Sequence, residues 1–257
     1  MEDRRPKVGL LGLTLEFYES TGPAIRQARE AWVRRDLLPA LKPHARVLFP
    51  GAVYRAEAIE SQVRAFENAG CEVLLVVLLT YSTSHSSLQA LRATSLPILI
   101  WNTQELYAVT PAYSSADLTA NHGVHGTFDL ANVLLRAGVR FEYVTSHWRD
   151  PQAPERIGML LRAAAGVMRL RRMRVGVLGY AFPGMGDFGV DLTHLRATLG
   201  PVCETIVMEE YRAALAALKP AAVRGLEAVY RRAFRVDREV TPTQLRAAAR
   251  AELALRA

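Results

Sequence analysis

The chain has 257 residues, of which 50% are hydrophobic and 22% are charged. This length can bury a core that needs no disulfides, and this composition excludes a disordered or low-complexity protein. The formal net charge of +7 comes from arginines scattered over helix-like segments, with a cluster only at Arg169–Arg174, so we predict solvated helix faces and no nucleic-acid partner.

Apolar runs of strand length alternate with amphipathic runs of helix length through the first 150 residues. The predicted strands are Lys7–Leu13, Arg46–Phe49, Val73–Leu79, Pro97–Trp101 and Phe141–Thr145. The predicted helices between them are Pro23–Leu41, Arg55–Ala69, Ser84–Ala93 and Asn121–Ala137. This order is typical of α/β proteins, so residues 1–150 are expected to form an open parallel-sheet, Rossmann-like domain. Val73–Leu79 is apolar throughout and belongs at the centre of the sheet.

A second α/β domain is predicted in residues 174–257. Residues 151–173, a helix over Gln152–Met168 and the basic stretch after it, would connect the two domains. The second domain has two predicted strands, Arg174–Gly179 and Glu204–Met208, followed by helices. Because the last helical pattern still runs at Ala257, we expect an incomplete domain and a truncated chain.

Neither a signal peptide nor a membrane span is expected. The longest apolar run, Val73–Leu79, is far shorter than the roughly 20 residues of a membrane helix. The amino terminus carries acidic residues and its apolar segment has no small-residue cleavage site. The two cysteines, Cys71 and Cys203, form no disulfide framework, which predicts a reducing, cytoplasmic location.

Polar and aromatic residues follow four of the predicted strands, where open parallel sheets bind their ligands. These segments are Thr14–Tyr18, Thr80–Thr83, Asn102–Glu105 and Ser146–Asp150. Their hydroxyl, amide, imidazole and aromatic groups suit a neutral polyol such as a sugar. An ordinary polar loop surface is the alternative, because strand-end loops are polar in most α/β proteins.

His122 and His125 stand three residues apart at the start of a predicted helix, so they share one face. Such a pair supplies half of a transition-metal site, but no glutamate lies at a matching helical offset. The other interpretation is that one histidine caps the helix and the other packs. Trp148 is expected to be a core aromatic beside the crevice rather than a stacking platform for the substrate.

The segment Gly184–Gly189 matches the dinucleotide motif G-x-G-x-x-G, with Glu209 about twenty residues further on. Its glycines start late after the preceding strand, and Asp187 and Asp191 bring negative charge to the expected pyrophosphate position. An NAD(P)-dependent oxidoreductase is therefore a minor alternative. Neither a G-x-S-x-G nucleophile elbow nor a P-loop is present in the sequence.

Several segments together resemble the L-arabinose and L-fucose isomerase superfamily. Asn121–Gly126 with Asp129–Asn132 resembles the signature in the middle of that family's first domain. Further matches are Ser146–Asp150, Glu155–Gly158, Gly179–Asp187 at the start of the second domain, and Thr241–Pro242 with Ala248–Leu255 in a later helix. The resemblance covers nearly the whole chain.

The resemblance implies an aldose–ketose isomerase that uses a divalent metal, usually manganese, as a Lewis acid. It also implies a homo-oligomer, commonly a hexamer, with the sugar pocket between subunits. By motif match, Met185 would lie near the substrate in the second domain. His122 and His125 would reach across the interface, and the sugar pocket near the first strand would be lined by Glu16, Phe17 and Tyr18.

This chain departs from the family pattern because the family's glutamate and histidine metal ligands belong after its last residue, Ala257. We therefore expect no metal site in this chain, with Mn²⁺ bound only in a complete family member. The chain alone is expected to be inactive as an isomerase. The alternative from another class is a metal-free module that binds a sugar or serves in assembly.

Overall fold

The structure is a computed structural model that describes residues 4–22, 24–180, 182–186 and 189–257. The chain divides into two compact units, Met1–Leu170 and Arg171–Ala257. Among the described residues, none of the helices is both long and apolar enough to cross a membrane.

The first unit is an open, fully parallel sheet covered by helices, which confirms the predicted fold class. Its strands are β1 (Lys7–Leu13), β2 (Arg46–Leu48), β3 (Ala52–Val53), β4 (Val73–Leu78), β5 (Ile98–Asn102) and β6 (Phe141–Thr145). The order across the sheet is β2-β1-β4-β5-β6, and β3 pairs with the end of β1. Its helices are α1 (Glu16–Thr21), α2 (Ala24–Trp32), α3 (Leu38–Leu41), α4 (Ala56–Asn68), α5 (Ser84–Ala93), α6 (Ser115–Ala120), α7 (Gly123–Arg136) and α8 (Ala153–Arg172).

The core of the first unit lies on both faces of this sheet. Every residue of β4 is buried, as its uninterrupted apolar sequence predicts. On one face the strands pack against Trp32 and Leu37, and on the other against Ile59 and Phe66. Two layers of helices therefore hold the strands, and the loops at the strand ends are left for binding.

The predicted helix Pro23–Leu41 is interrupted in the structure, and its first residue lies outside the described residues. Helix α2 runs into a π-helical turn, Val33–Leu37, which continues directly into α3. Pro39, at the start of α3, has no N–H to bond the carbonyl of Arg35. The wider turn before the proline accommodates this missing bond.

Helix α8 packs on the sheet, although the sequence suggested a connecting helix. Its Ile157, Leu161 and Ala165 are fully or almost fully buried in the core of the first unit. The compact unit thus ends at Leu170 rather than at residue 150. In the basic cluster that follows, Arg169 pairs with Glu72, and Arg174 pairs with Glu204.

The second unit contains a two-stranded parallel sheet, β7 (Arg174–Leu178) and β8 (Val202–Ile206). Its helices are α9 (Leu192–Thr198), α10 (Met208–Ala217), α11 (Pro220–Ala233) and α12 (Pro242–Arg256). Val223, Leu226 and Ala249 join α11 to α12 in a small core. In contrast to β4, the residues of β7 and β8 are exposed or half-buried, so the described part of this unit has a much thinner core.

Candidate functional site

The carboxyl ends of the parallel strands place five of the six predicted site residues, all but Met185, along one edge of the first unit. Glu16, Phe17 and Tyr18 form the start of α1, directly after β1. Tyr81 follows β4, the neighbour of β1 in the sheet. We call this edge the rim, and it is where an open parallel sheet binds ligands.

The centre of the rim is a cluster of three rings from Tyr81, His122 and His125. The two imidazole ring centres lie 4.5 Å apart at an interplanar angle of 67°, and the Tyr81 ring lies 5.6 Å from that of His122. His122 is the residue before the first turn of α7 and is half-buried, whereas His125 is exposed. The structure thus brings together the histidine pair and an aromatic ring that the sequence alone did not connect to it.

Two glycines explain why the histidine pair lies against the end of β4. A Cβ atom at Gly123 would lie 2.2 Å from the Leu78 carbonyl oxygen. A Cβ atom at Gly126 would lie 2.5 Å from Leu78 Cδ2 and 3.0 Å from the backbone nitrogen of Ser82. Only glycine permits this approach of the helix backbone to the strand end. The repeat His-Gly-Val-His-Gly therefore places its glycines on the sheet and its imidazoles beside them.

The α1 part of the rim is held by an ion pair. Arg55, which precedes α4, pairs with Glu16 at 2.6 Å and lies over the Tyr54 ring at 5.7 Å. Phe17 is 64% exposed, and burial of Tyr18 raises the pKa of its phenol. Sequence reasoning missed Arg55 because it lies 39 positions from Glu16, and no local sequence pattern predicts a contact over that distance.

Next to the rim, Glu105 links the loop after β5 to helix α2 and to the loop after β6. Its carboxylate pairs with Arg29 at 2.5 Å and with Arg35 at 2.8 Å. Its carbonyl oxygen accepts hydrogen bonds from Trp148 Nε1 at 3.2 Å and from His147 Nε2 at 3.3 Å. Trp148 also packs against the core, as expected. Sequence reasoning missed this role of Glu105.

His147 is held as a neutral ring with a defined proton position. Its Nδ1 accepts a hydrogen bond from the backbone N–H of Arg149 at 3.1 Å, so the proton lies on Nε2. Burial, the largest effect, lowers the pKa of this histidine. His147 therefore braces the loop and leaves neither ring nitrogen for a ligand.

Met185 belongs to the second unit and lies in an exposed turn, where its N–H bonds to the carbonyl of Phe182. In the glycine-rich segment around it, Asp187 and Phe188 lie outside the described residues. Gly184, Gly186 and Gly189 follow the end of β7, Leu178, at a distance, and α9 begins only at Leu192. The role of Met185 near a substrate stays a prediction.

The ring cluster does not fit a resident metal. A transition-metal centre generally takes three or four protein ligands, whereas the pair of His122 and His125 supplies two. Within the described ranges, no group of three or more histidine, cysteine, aspartate or glutamate side chains could hold a metal ion. The pair is thus better suited to hydrogen bonding than to coordination.

The free energy of unfolding should fall as the pH drops below about 6.5. Burial, and then the charge of His125, lowers the pKa of His122 below its ordinary value of 6.5. The unfolded chain therefore binds this proton at a higher pH than the folded chain, and acid favours unfolding. Urea unfolding at about pH 7.5 and 5.5 measures the effect.

His122→Gln should reduce this pH dependence, and the half-buried His147 should keep part of it, since its pKa is also lowered. The control is His194→Gln, which removes an exposed imidazole from α9 in the second unit. An unchanged pH dependence in His122→Gln, or an equal reduction in the control, would contradict the prediction.

Comparison with known families gives a match over much of the first unit. The sequence profile of the family "L-arabinose isomerase N-terminal domain" matches residues 26–172, more than half of the chain. The matched range includes β2 to β6, the histidine pair and all of α8.

Several curated relatives of the chain are named L-arabinose isomerase. The chain is similar to an L-arabinose isomerase of Nocardioides sp., with 29% identity over 72% of this chain and 38% of the relative. It is also similar to that of Bifidobacterium animalis subsp. lactis, with 25% identity over 69% of this chain and 35% of the relative. An L-arabinose isomerase of Escherichia fergusonii is 32% identical over 41% of this chain. The chain thus spans well under half the length of these relatives, and it belongs to the L-arabinose isomerase N-terminal domain family.

Proposed function

We propose that this chain forms the sugar-contacting amino-terminal part of an L-arabinose isomerase-type aldose–ketose isomerase. The observation that carries the proposal is the ring cluster of Tyr81, His122 and His125, held at the carboxyl edge of the sheet by Gly123 and Gly126. Membership of the family gives the substrate class, a small sugar, and the cluster gives the residues that would contact it.

The chemistry of the rim suits a neutral sugar. A neutral imidazole offers one donor and one acceptor, and a sugar hydroxyl can use both. The lowered pKa of His122 keeps its ring neutral at physiological pH. Beside it, the Tyr81 ring offers an apolar face for the C–H groups of the sugar ring. Arg55 holds the Glu16 carboxylate, which would accept from a further hydroxyl.

The metal that the family resemblance implies would be bound outside this chain. The described residues lack a donor set for it, so no step of the reaction is assigned to a metal site here. We propose that this part alone does not interconvert aldose and ketose. In a complete, homo-oligomeric and cytoplasmic isomerase, its rim would complete the sugar pocket of a neighbouring subunit.

The proposal predicts saturable binding of L-arabinose and of its non-reacting alcohol L-arabinitol at the rim. Proton NMR of the histidine and tyrosine rings during titration would report it, with resonances of His122, His125 and Tyr81 shifting together. His125→Ala should weaken binding about fivefold or more, because it removes a hydrogen bond to the ligand of roughly 1 kcal/mol. His194→Ala, which removes an exposed imidazole from the second unit, should leave binding unchanged.

Chelation tests whether sugar binding by this chain needs a metal. Titration should give the same affinity with EDTA and with Mn²⁺, and no ketose should form in either sample. Ketose formed by the purified chain would overturn the assignment of the metal to another part of the protein. An absence of saturable shifts at the three rings would overturn the rim as a sugar site.

A metal-free sugar-binding or assembly module remains the second candidate. It is favoured by the ring cluster, because all three of its rings belong to this chain. The intact mass of the protein in its source cells distinguishes the two. A mass well above 28.4 kDa supports the isomerase, and a mass of 28.4 kDa supports the module. We do not propose the NAD(P) alternative, because Asp191 already caps α9 by accepting from the N–H groups of Thr193 and His194.

A further inference from the structure

The turn between α6 and α7 contains a buried asparagine immediately before the ring cluster. Asn121 is only 5% exposed, follows the last residue of α6 and precedes His122. A buried side-chain amide is generally hydrogen-bonded, so its partners show which parts of the molecule the residue holds together.

The side-chain amide of Asn121 joins this turn to the loop after β5. Its Oδ1 accepts the backbone N–H of Leu106 at 2.9 Å, and its Nδ2 donates to the carbonyl oxygen of Asp117 at 2.7 Å. The backbone N–H of Asn121 donates to the same carbonyl oxygen at 2.9 Å, which completes the end of α6. The side chain therefore uses its donor within α6 and its acceptor across the chain, on a residue 15 positions earlier.

A closed path of contacts holds the same turn against helix α2. Leu106 directly follows Glu105, whose carboxylate pairs with Arg29 at 2.5 Å. Arg29 also donates to the carbonyl oxygen of Ala120, the residue before Asn121, at 3.5 Å. Through these contacts and the peptide bonds between them, the path returns to Asn121. A shift of the turn would have to break more than one of these contacts, so they support one another.

His122 is thereby fixed on both sides along the backbone. Asn121 precedes it, and Gly123 follows it with its backbone against the carbonyl oxygen of Leu78. With the backbone held in this way, the His122 ring lies beside the rings of both Tyr81 and His125.

We propose that Asn121 is a positioning residue for the ring cluster, and that its bond to the Leu106 N–H keeps the His122 imidazole beside Tyr81 and His125. The consequence for sugar binding rests on the proposed function. The ring geometry does not, because it can be measured with no sugar present.

The test compares Asn121→Leu with Asn121→Asp in the full chain. Leucine is of similar size but has neither donor nor acceptor, so the Leu106 N–H loses its side-chain partner. Aspartate keeps the acceptor and loses only the donor to Asp117, so it should lower stability without breaking the link to the loop after β5. In NMR spectra of the free chain, NOE contacts among the three rings should weaken in Asn121→Leu and persist in Asn121→Asp.

The affinity for L-arabinitol should change in the same order. Asn121→Leu should weaken binding about fivefold or more, since a displaced His122 loses a hydrogen bond to the ligand. Asn121→Asp should bind like the unmodified chain. If leucine prevents folding, Asn121→Ser takes its place with the same expectation, because its shorter side chain withdraws the acceptor from Leu106.

Gln62→Leu is the matched control, because it removes another buried side-chain amide that joins a helix to a loop. Gln62 lies on α4, and its Nε2 donates to the carbonyl oxygen of Gly51 at 3.2 Å. Its loss should lower the melting temperature but leave the ring contacts and the affinity unchanged.

Three results would overturn the proposal. They are unchanged ring contacts in Asn121→Leu or its serine replacement, an equal loss of ring contacts in Gln62→Leu, and a loss of ring contacts in Asn121→Asp. If the unmodified chain did not bind L-arabinitol, the proposed function would fail, and the ring contacts alone would decide the role of Asn121.

Discussion

Gly123→Ala should destabilise the first unit by at least about 2 kcal/mol and lower its melting temperature by about 4–8 °C. The added Cβ would lie 2.2 Å from the carbonyl oxygen of Leu78, inside β4 at the centre of the sheet. Because that oxygen is part of the backbone, it has little freedom to move, and helix α7 must shift instead. Thermal unfolding followed by circular dichroism measures the loss, and the NMR shifts of His122 report the displaced ring.

The control for this substitution is Gly166→Ala in helix α8, where nothing lies within 4 Å of the added Cβ. There alanine should stabilise the helix by about 0.5–1 kcal/mol, because it has the higher helix propensity. The two substitutions are chemically identical and are predicted to have opposite signs. If Gly123→Ala were neutral or stabilising, the close approach of α7 to β4 would be refuted.

Glu105→Gln is expected to lower the free energy of unfolding by about 3 kcal/mol and the melting temperature by about 6–12 °C. The carboxylate neutralises Arg29, whose side chain is only 9% exposed, and it also pairs with Arg35. Removing the charge leaves a buried guanidinium uncompensated, and its Nε atom already has no hydrogen-bond partner within the described structure. Urea unfolding at neutral pH measures the difference.

Two further variants show whether the buried charge is the cause. Glu155→Gln removes a carboxylate that is 69% exposed and pairs with Arg162 at 3.4 Å, and it should change stability by less than about 1 kcal/mol. Combining Glu105→Gln with Arg29→Met removes both buried charges, so part of the loss should be recovered. If the double variant were as unstable as the sum of the single ones, the buried-charge explanation would fail.

The sheet could be predicted from the sequence because its central strands are continuous apolar runs. Val73–Leu79 and Lys7–Leu13 are apolar runs of strand length rather than helix length. Their predicted limits agree with the structure to within one residue. Short elements were missed. Strand β3 has two residues, and α1 and α6 have six each, which is too short for periodicity to identify.

The candidate site was predicted only in part, for a different reason. His122 and His125 could be paired because they lie on one helical face, three residues apart. Tyr81 joins them only because α7 crosses the end of β4, and Arg55 reaches Glu16 from 39 residues away. Such contacts depend on how the helices pack across the sheet, and a single sequence contains no local signal for that.

The position of β1 between β2 and β4 has a consequence for the order in which the protein can fold. Within the described sheet, β1 is the partner of β2, β3 and β4, and the paired residues lie 39 to 65 positions apart in the sequence. During synthesis the first strand therefore has no strand partner until β2 has emerged, and its longest partner, β4, is complete only when Leu78 has emerged. Deleting the first strand would remove the junction between β4 and the β2–β3 edge, so we expect the first unit not to tolerate the loss of Lys7–Leu13.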